Sequence, residues 1–329
     1  MSFNCTIGVK PRINLNDLSR LGIKMIYCGY LEKSAIKKWP ESFCVINRRG
    51  ESASFYGKKE FSKFAKQAEK LDISVYVTFN GLYTPEQYSW IISAINTVSC
   101  FKSVKGIIAN DIGLLLRLKK NNYKKEIVLS TGGTTFNSSA VSFYKQFNIK
   151  RIVLDRQLKV NEIKNIILSH PDMKFEIFLM FGNCLFIDGF CSFMHSLETQ
   201  EKNKKFFFNT SHLLSHCGFI HKLQFEGKYK IINTSKQKYK IKFNKEIKNL
   251  STGCNFCAPK ALKNVSNNLI YKIVSRGNIF INEFNIVEPF LNNISKLESN
   301  SNADTKNLFK KIFNYNCNGY GCYASKKII

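Results

Sequence analysis

The chain has 329 residues, is 44% hydrophobic and 22% charged, and carries a formal net charge of +27. That is enough apolar chain for one large domain or two ordinary ones, which excludes a disordered, collagen-like or small disulfide-stapled protein. Apolar runs such as 113–116 and 177–181 fall far short of a bilayer crossing, and residues 1–5 lack a charged start followed by an apolar block, so a cytoplasmic protein without a membrane span is expected.

Strand-like runs rich in Ile, Val, Phe and Tyr fall at 4–9, 24–30, 73–80, 106–111, 127–131, 151–155, 175–181 and 269–275. Amphipathic stretches lie between them. Phe61, Phe64, Ala65 and Ala68 share one helical face, as do Val141, Tyr144 and Phe147, then Ile163, Ile166 and Ile167. Pro85 suits a first helical turn after Thr84, and Asn161 with Glu162 opens another helix. Strand–helix alternation at this spacing predicts an α/β fold, a (β/α)-barrel-like domain over 1–181.

The periodicity ends at Phe181. Residues 182–263 turn to Cys, His, Lys and Asn, which predicts a Cys-rich insertion between the seventh and eighth strands, at the barrel end where active sites lie. Within it, 223–248 alternates with period two: Lys228, Lys230, Lys238, Lys240 and Lys242 on one face, Tyr229, Ile231, Tyr239, Ile241 and Phe243 on the other. That is a β-hairpin with a basic face, a candidate nucleic-acid surface. Residues 264–294 are expected to supply the closing strand and helix of the barrel. Residues 295–307 read as a polar linker, and an amphipathic piece (Leu308, Ile312, Phe313) and a Cys-bearing tail complete 295–329.

The charge has two readings. A polyanion partner is one. A compositional drift is the other and covers most of the excess, because Lys, Asn, Ile and Phe are abundant while Ala, Gly and Pro are scarce, as AT-rich coding produces. The local excess is sharper: nine Lys against two Glu lie between Lys222 and Lys248.

Cytosolic thiols stay reduced, so clustered cysteines point to metal or catalysis. Cys5, Cys28 and Cys100 sit alone beside apolar runs and read as small buried hydrophobes. Cys184, Cys191, Cys217, Cys254 and Cys257 fall together in the insertion, with Gly182, Gly189, Gly218 and Gly253 among them; Cys317 and Cys322 lie in the tail, and Cys44 has no assigned role. Only Cys254 and Cys257 have zinc-type spacing. The irregular spacing of the rest favours an iron–sulfur cluster, with zinc the alternative.

The run from Val128 through Ser130-Thr131-Gly132-Gly133 to Asn137-Ser138 leads by a helix to Leu154-Asp155-Arg156-Gln157, then Glu176-Ile177-Phe178, then Cys184 and Cys191. This order resembles the collagenase-like peptidase family, peptidase family U-thirty-two. Asn47-Arg48-Arg49 with Ser54-Phe55, Asp111-Ile112-Gly113, Lys272-Ile273-Val274-Ser275-Arg276 and Cys317-Asn318-Gly319-Tyr320 resemble further elements of it. The resemblance covers most of the chain. It implies a barrel-like domain and a [4Fe-4S] cluster on Cys184, Cys191, Cys217 and Cys257, with Cys254 the alternate fourth ligand. Despite the peptidase label, family members are oxygen-independent hydroxylation proteins acting in ubiquinone synthesis or on transfer or ribosomal RNA, with prephenate implied as the oxygen donor in some. The chain departs from the family pattern in three places. Phe181 follows Met180 where the family has His-Gly, Gln157 stands for Glu, and Ser215-His216-Cys217-Gly218 is a reduced third-ligand element.

The expected function is therefore an iron–sulfur protein supporting oxygen-independent hydroxylation of an RNA base or a quinone precursor. Arg156, Glu176 and Arg276 are the catalytic candidates. Arg48, Arg49, Asn137 and Arg156 are the substrate-binding candidates, arginine being suited to carboxylates and phosphates, with ordinary salt bridging the plainer role for each. RNA, a small-molecule oxygen donor and a homologous family subunit are the expected partners. Peptide hydrolysis is an alternative that rests on the family label, since neither Gly-x-Ser-x-Gly nor His-Glu-x-x-His is present. A non-catalytic cluster-bearing or RNA-binding subunit is the second alternative.

Overall fold

The computed structural model describes residues 4–39, 53–180, 187–190, 255, 257–274, 288 and 302–313. The strands are β1 (Cys5–Gly8), β2 (Met25–Leu31), β3 (Ser54–Tyr56), β4 (Ser74–Phe79), β5 (Val104–Ala109), β6 (Glu126–Leu129), β7 (Arg151–Val153), β8 (Lys174–Met180) and β9 (Leu269–Ile273). All pair in parallel in the order β1-β9-β8-β7-β6-β5-β4-β2-β3, and a further β1–β2 pairing joins the ends. Eight strands therefore close a barrel, with β3 attached outside the ring of eight. The helices are α1 (Leu15–Arg20), α2 (Lys33–Lys38), α3 (Gly57–Lys70), α4 (Tyr88–Ser99), α5 (Ile112–Lys120), α6 (Ser138–Lys145), α7 (Val160–Ser169), α8 (Ala258–Ala261) and α9 (Asn302–Phe313).

All eight strands read from the sequence are present and form the ring. β3 is the addition. It pairs with Gly29, Tyr30 and Leu31 of β2, and a Cβ at Gly29 would collide with Ser54 and come within 2.8 Å of the Ala53 carbonyl. At three residues, β3 is too short to show an alternating pattern. The polar stretch expected to be a linker is helical from Asn302, because α9 buries Thr305 and anchors Phe309 in the main core.

Period-two alternation sorts each strand's side chains between two cores. Outward residues such as Ile26, Cys28, Val75, Val77, Ile107 and Leu129 pack under the helices, with Phe61, Phe64, Ile91, Ile95, Leu114 and Ile163. Inward residues Tyr27, Tyr76, Ile108, Val128, Val153 and Phe178 fill the barrel as a separate apolar cluster. Cys5 and Cys28 are buried in the outer core, as small apolar thiols should be. Cys100 is exposed instead, its thiol directed at the Asn96 carbonyl one turn back.

The layer two residues earlier on the strands is charged. Arg151 is fully buried and pairs bidentately with Glu126, Nε to Oε1 and Nη2 to Oε2, both at 3.0 Å. Its Nη1 lies 3.2 Å from Glu176, whose other oxygen takes Lys272 Nζ at 2.6 Å. The Tyr76 ring lies 4.0 Å from the Arg151 guanidinium and its hydroxyl donates to Glu126 at 2.6 Å, while Lys272 sits 3.9 Å from the Tyr27 ring. Burial opposes the Arg151 charge, but Glu176, Tyr76 and Glu126 outweigh it and raise the guanidinium pKa. Two carboxylates and two cations thus close the barrel toward the strands' N-terminal ends.

Candidate functional site at the barrel mouth

Two residues beyond the apolar ring, towards the strands' C-terminal ends, the inward positions become polar: Asn110 after Ile108, Ser130 after Val128, Asp155 after Val153. Asn80 Nδ2 donates to Ser130 Oγ at 3.4 Å, and Asp155 Oδ2 accepts the Thr135 backbone N–H at 2.9 Å. Asn110 and Thr135 are buried, and neither Asn110 Oδ1 nor Thr135 Oγ1 has a hydrogen-bond partner among the described residues. Buried groups of this kind are completed by ordered water or a ligand. In barrels of this architecture the C-terminal face is where the active site is built.

Three turns shape this face. Ser130 leads into a 3-10 turn over Thr131–Gly133, ended by Thr134 in the left-handed region at φ 54°. A second 3-10 turn, Asp188–Phe190, packs on the first. A Cβ on Gly189 would collide with Thr134 Oγ1 and come within 2.9 Å of the Gly132 carbonyl, so only glycine allows this approach. Arg156, leaving β7, forks onto Asp188, with Nη2 2.7 Å from Oδ2 and Nη1 3.3 Å from Oδ1. Thr131 adds a hydroxyl bond to Oδ2 at 2.5 Å, and the Phe178 ring lies 4.6 Å from the guanidinium. The third turn lies against β8, ahead of α8. Asn255 is buried, its N–H bonded to the Leu179 carbonyl at 2.8 Å and its Nδ2 to the Phe178 carbonyl at 3.0 Å, both on β8. Cys257 follows, exposed, at the start of α8.

The expected site residues fall in different places. Arg156 and Cys257 are at the mouth. Glu176 is not. It lies below the apolar ring, both carboxylate oxygens engaged by Arg151 and Lys272. Asn137 is exposed and caps α6, accepting the Ala140 N–H at 2.9 Å. Asp111, at the strand end that carried the family resemblance, caps α5 through Leu114 N–H at 2.7 Å and takes the Tyr88 hydroxyl at 2.8 Å. Arg48, Arg49, Arg276, Cys44, Cys184, Cys191, Cys217, Cys254, Cys317, Cys322 and the lysines of the expected hairpin, Lys228, Lys230, Lys238, Lys240 and Lys242, lie outside the described residues, as does most of 182–263. Among the described residues no three His, Cys, Asp or Glu side chains gather as a metal site. His170 is the described histidine, and its Nε2 faces the Ser138 carbonyl at 3.1 Å rather than any nucleophile. No helix among the described residues is long and apolar enough to cross a membrane.

Sequence reasoning did not single out Thr131, Asp188, Asn110 or Asn255. Thr131 lay inside the Ser-Thr-Gly-Gly run, and the Asp188-Gly189 pair is a turn signal between two cysteines. Both signals were local, whereas the contacts that matter cross 57 and 32 residues.

Fold and site together define a closed parallel α/β-barrel with a polar mouth at the strands' C-terminal ends. The chain belongs to Peptidase family U32, whose model matches residues 14–205. It is 27% identical over 138 residues to tRNA hydroxylation protein P of Haemophilus influenzae, a match covering 42% of this chain and 30% of that protein. It is 29% identical over 98 residues to tRNA hydroxylation protein P of Escherichia coli K12, covering 30% and 22%. The matched stretches thus span less than a third of these two relatives. The solved U32 peptidase Mk0906 is also similar, at a TM-score of 0.42 and 12% identity over 54% of this chain and 69% of that one.

Proposed function

We propose that this chain is an iron–sulfur member of the family that supports oxygen-independent hydroxylation of a tRNA base. The observation that carries the reading is the similarity to proteins named for tRNA hydroxylation. A quinone precursor is the less favoured substrate, since neither of those relatives is named for it. The reaction replaces a C–H bond of the base by C–OH, with the oxygen atom taken from a small organic donor.

The cluster ligands are Cys184, Cys191, Cys217 and Cys257, with Cys254 as the alternate fourth. Three described residues support that set, and all three are at the C-terminal mouth. Met180 ends β8 four positions before Cys184, Phe190 directly precedes Cys191, and Asn255 holds the chain on β8 two positions before Cys257. The exposed Cys257 thiol suits a ligand better than the buried Cys5 or Cys28. Such a cluster would supply electron transfer beside the substrate. The chain's own residues supply the rest: the barrel wall excludes water, and Asn80, Ser130 and Asn110 present hydrogen-bonding groups to a planar polar ligand.

The test is nucleoside mass spectrometry on tRNA from a bacterial strain without its own family members, grown without oxygen. Expression of this chain is expected to add one oxygen to a uridine, and Cys257→Ser to diminish it. Unchanged tRNA nucleosides, with cleavage of a peptide substrate by the purified chain, would replace this reading with peptidase activity. Unchanged nucleosides with intact iron content would favour a non-catalytic subunit.

A further inference from the structure

The turn Asp188–Phe190 rests on strand ends that are not its own. The chain enters it from β8, yet it packs on the turn after β6 and on the arginine after β7. Its grip is polar. Arg156 and Thr131 together place three donors on the Asp188 carboxylate. Gly189 brings no side chain, the Asp188 carboxylate is only 10% exposed among its donors, and Phe190, the turn's one large apolar group, is 77% exposed. A permanent wedge would bury its apolar side chain; this turn is held by a carboxylate seated among donors. A guanidinium fork with an added hydroxyl is the constellation by which proteins recognise a carboxylate or a phosphate. It lies here at the end of the barrel where ligands bind.

We propose that Arg156 and Thr131 form an oxyanion-binding subsite that Asp188 occupies, and that a small carboxylate or phosphate ligand displaces it. The subsite is built whatever the cysteines hold, so it stands apart from the cluster reading. Phe178, 4.6 Å from the guanidinium, keeps Arg156 in place when Asp188 leaves. The exchange puts one anion where another was, so the arginine, only 9% exposed, is never left buried without a counter-charge. An internal occupant also weakens the apparent affinity for any external one, by the fraction of chains in which the site is open.

Titration calorimetry of the full chain with malonate, and separately with inorganic phosphate, tests this, with sodium chloride at matched ionic strength as the control. Asp188→Asn removes the competing charge and is expected to tighten one of the two anions by about tenfold or more. The anion that gains shows whether the natural ligand is a carboxylate or a phosphate. Arg156→Gln added to Asp188→Asn is expected to abolish the gain. Equal or weaker binding by Asp188→Asn, or full binding by the double variant, overturns the proposal. If Asp188→Asn does not fold, the wild-type chain answers by chymotryptic cleavage after Phe190, followed by mass spectrometry. Cleavage is expected to rise with malonate or phosphate and not with chloride; cleavage indifferent to both anions overturns the proposal.

Discussion

Arg151→Met tests how the closed end of the barrel is held. The methionine replaces the apolar stem and removes the guanidinium from a site that is 1% exposed. Glu176, 2% exposed, keeps Lys272 as its partner, whereas Glu126, 24% exposed, keeps the Tyr76 hydroxyl alone among the described residues, with whatever water reaches it. Breaking a buried ion pair from one side costs about 3–5 kcal/mol, because the surviving charge is left uncompensated. The partial exposure of Glu126 and the retained Lys272 place the expected loss near the lower end, about 3 kcal/mol. Urea unfolding followed by circular dichroism should show a lower midpoint at an unchanged slope. Adding Glu126→Gln removes the stranded carboxylate, so the double variant should lose less than the two single losses combined, by about 1–3 kcal/mol. A loss under about 1 kcal/mol for Arg151→Met, or strict additivity in the double variant, would refute a barrel closed by compensating charges.

Other consequences are open to direct measurement. Asp111→Ala removes the cap of α5 and the Tyr88 hydroxyl's acceptor together and should cost about 2 kcal/mol by urea unfolding; Asn137→Ala, which loses an exposed cap alone, should cost about 1 kcal/mol. Gly189→Ala should break the contact between the two turns at the mouth and speed chymotryptic cleavage after Phe190, while an unchanged rate would mean that Thr134 moves aside freely. Burial, with Glu32 beside Tyr30 and Glu126 beside Tyr76, raises both phenols above their ordinary value, Arg151 opposing this at Tyr76. Their contribution to stability is therefore complete below the unfolded tyrosine value near pH 10 and is lost as pH rises through the raised folded values. Ultraviolet titration of Tyr30→Phe and Tyr76→Phe should show that neither residue ionises with the exposed tyrosines in the native chain. Normal ionisation at about pH 10 would contradict their burial.

The barrel was legible because its signals are local. Runs such as Ile73–Asn80 combine β-branched and aromatic residues with period-two alternation, and Phe61, Phe64, Ala65 and Ala68 mark one helical stripe, so elements of this kind announce themselves within a dozen residues. The site was legible only in part. Arg156 was found as a charged residue at a strand end, but its occupant Asp188 arrives from another loop. Glu176 looked catalytic from its motif, yet its role depends on Lys272, 96 residues away on the strand that closes the ring. Asn255 carried no pattern at all, because a side chain that docks a returning segment onto a strand end is defined by the strand and not by its neighbours in sequence. Residues that act through long-range polar contacts leave no periodic trace, whereas burial does.

Metal content tests the central claim most directly. Chain purified without oxygen should be brown, with about four irons and four sulfides each, the stoichiometry of a [4Fe-4S] centre. Cys184→Ser or Cys191→Ser should lose most of that iron while far-ultraviolet circular dichroism still reports a folded barrel. A colourless anaerobic preparation holding stoichiometric zinc, or full iron content in both serine variants, would contradict the cluster and the chemistry assigned to it.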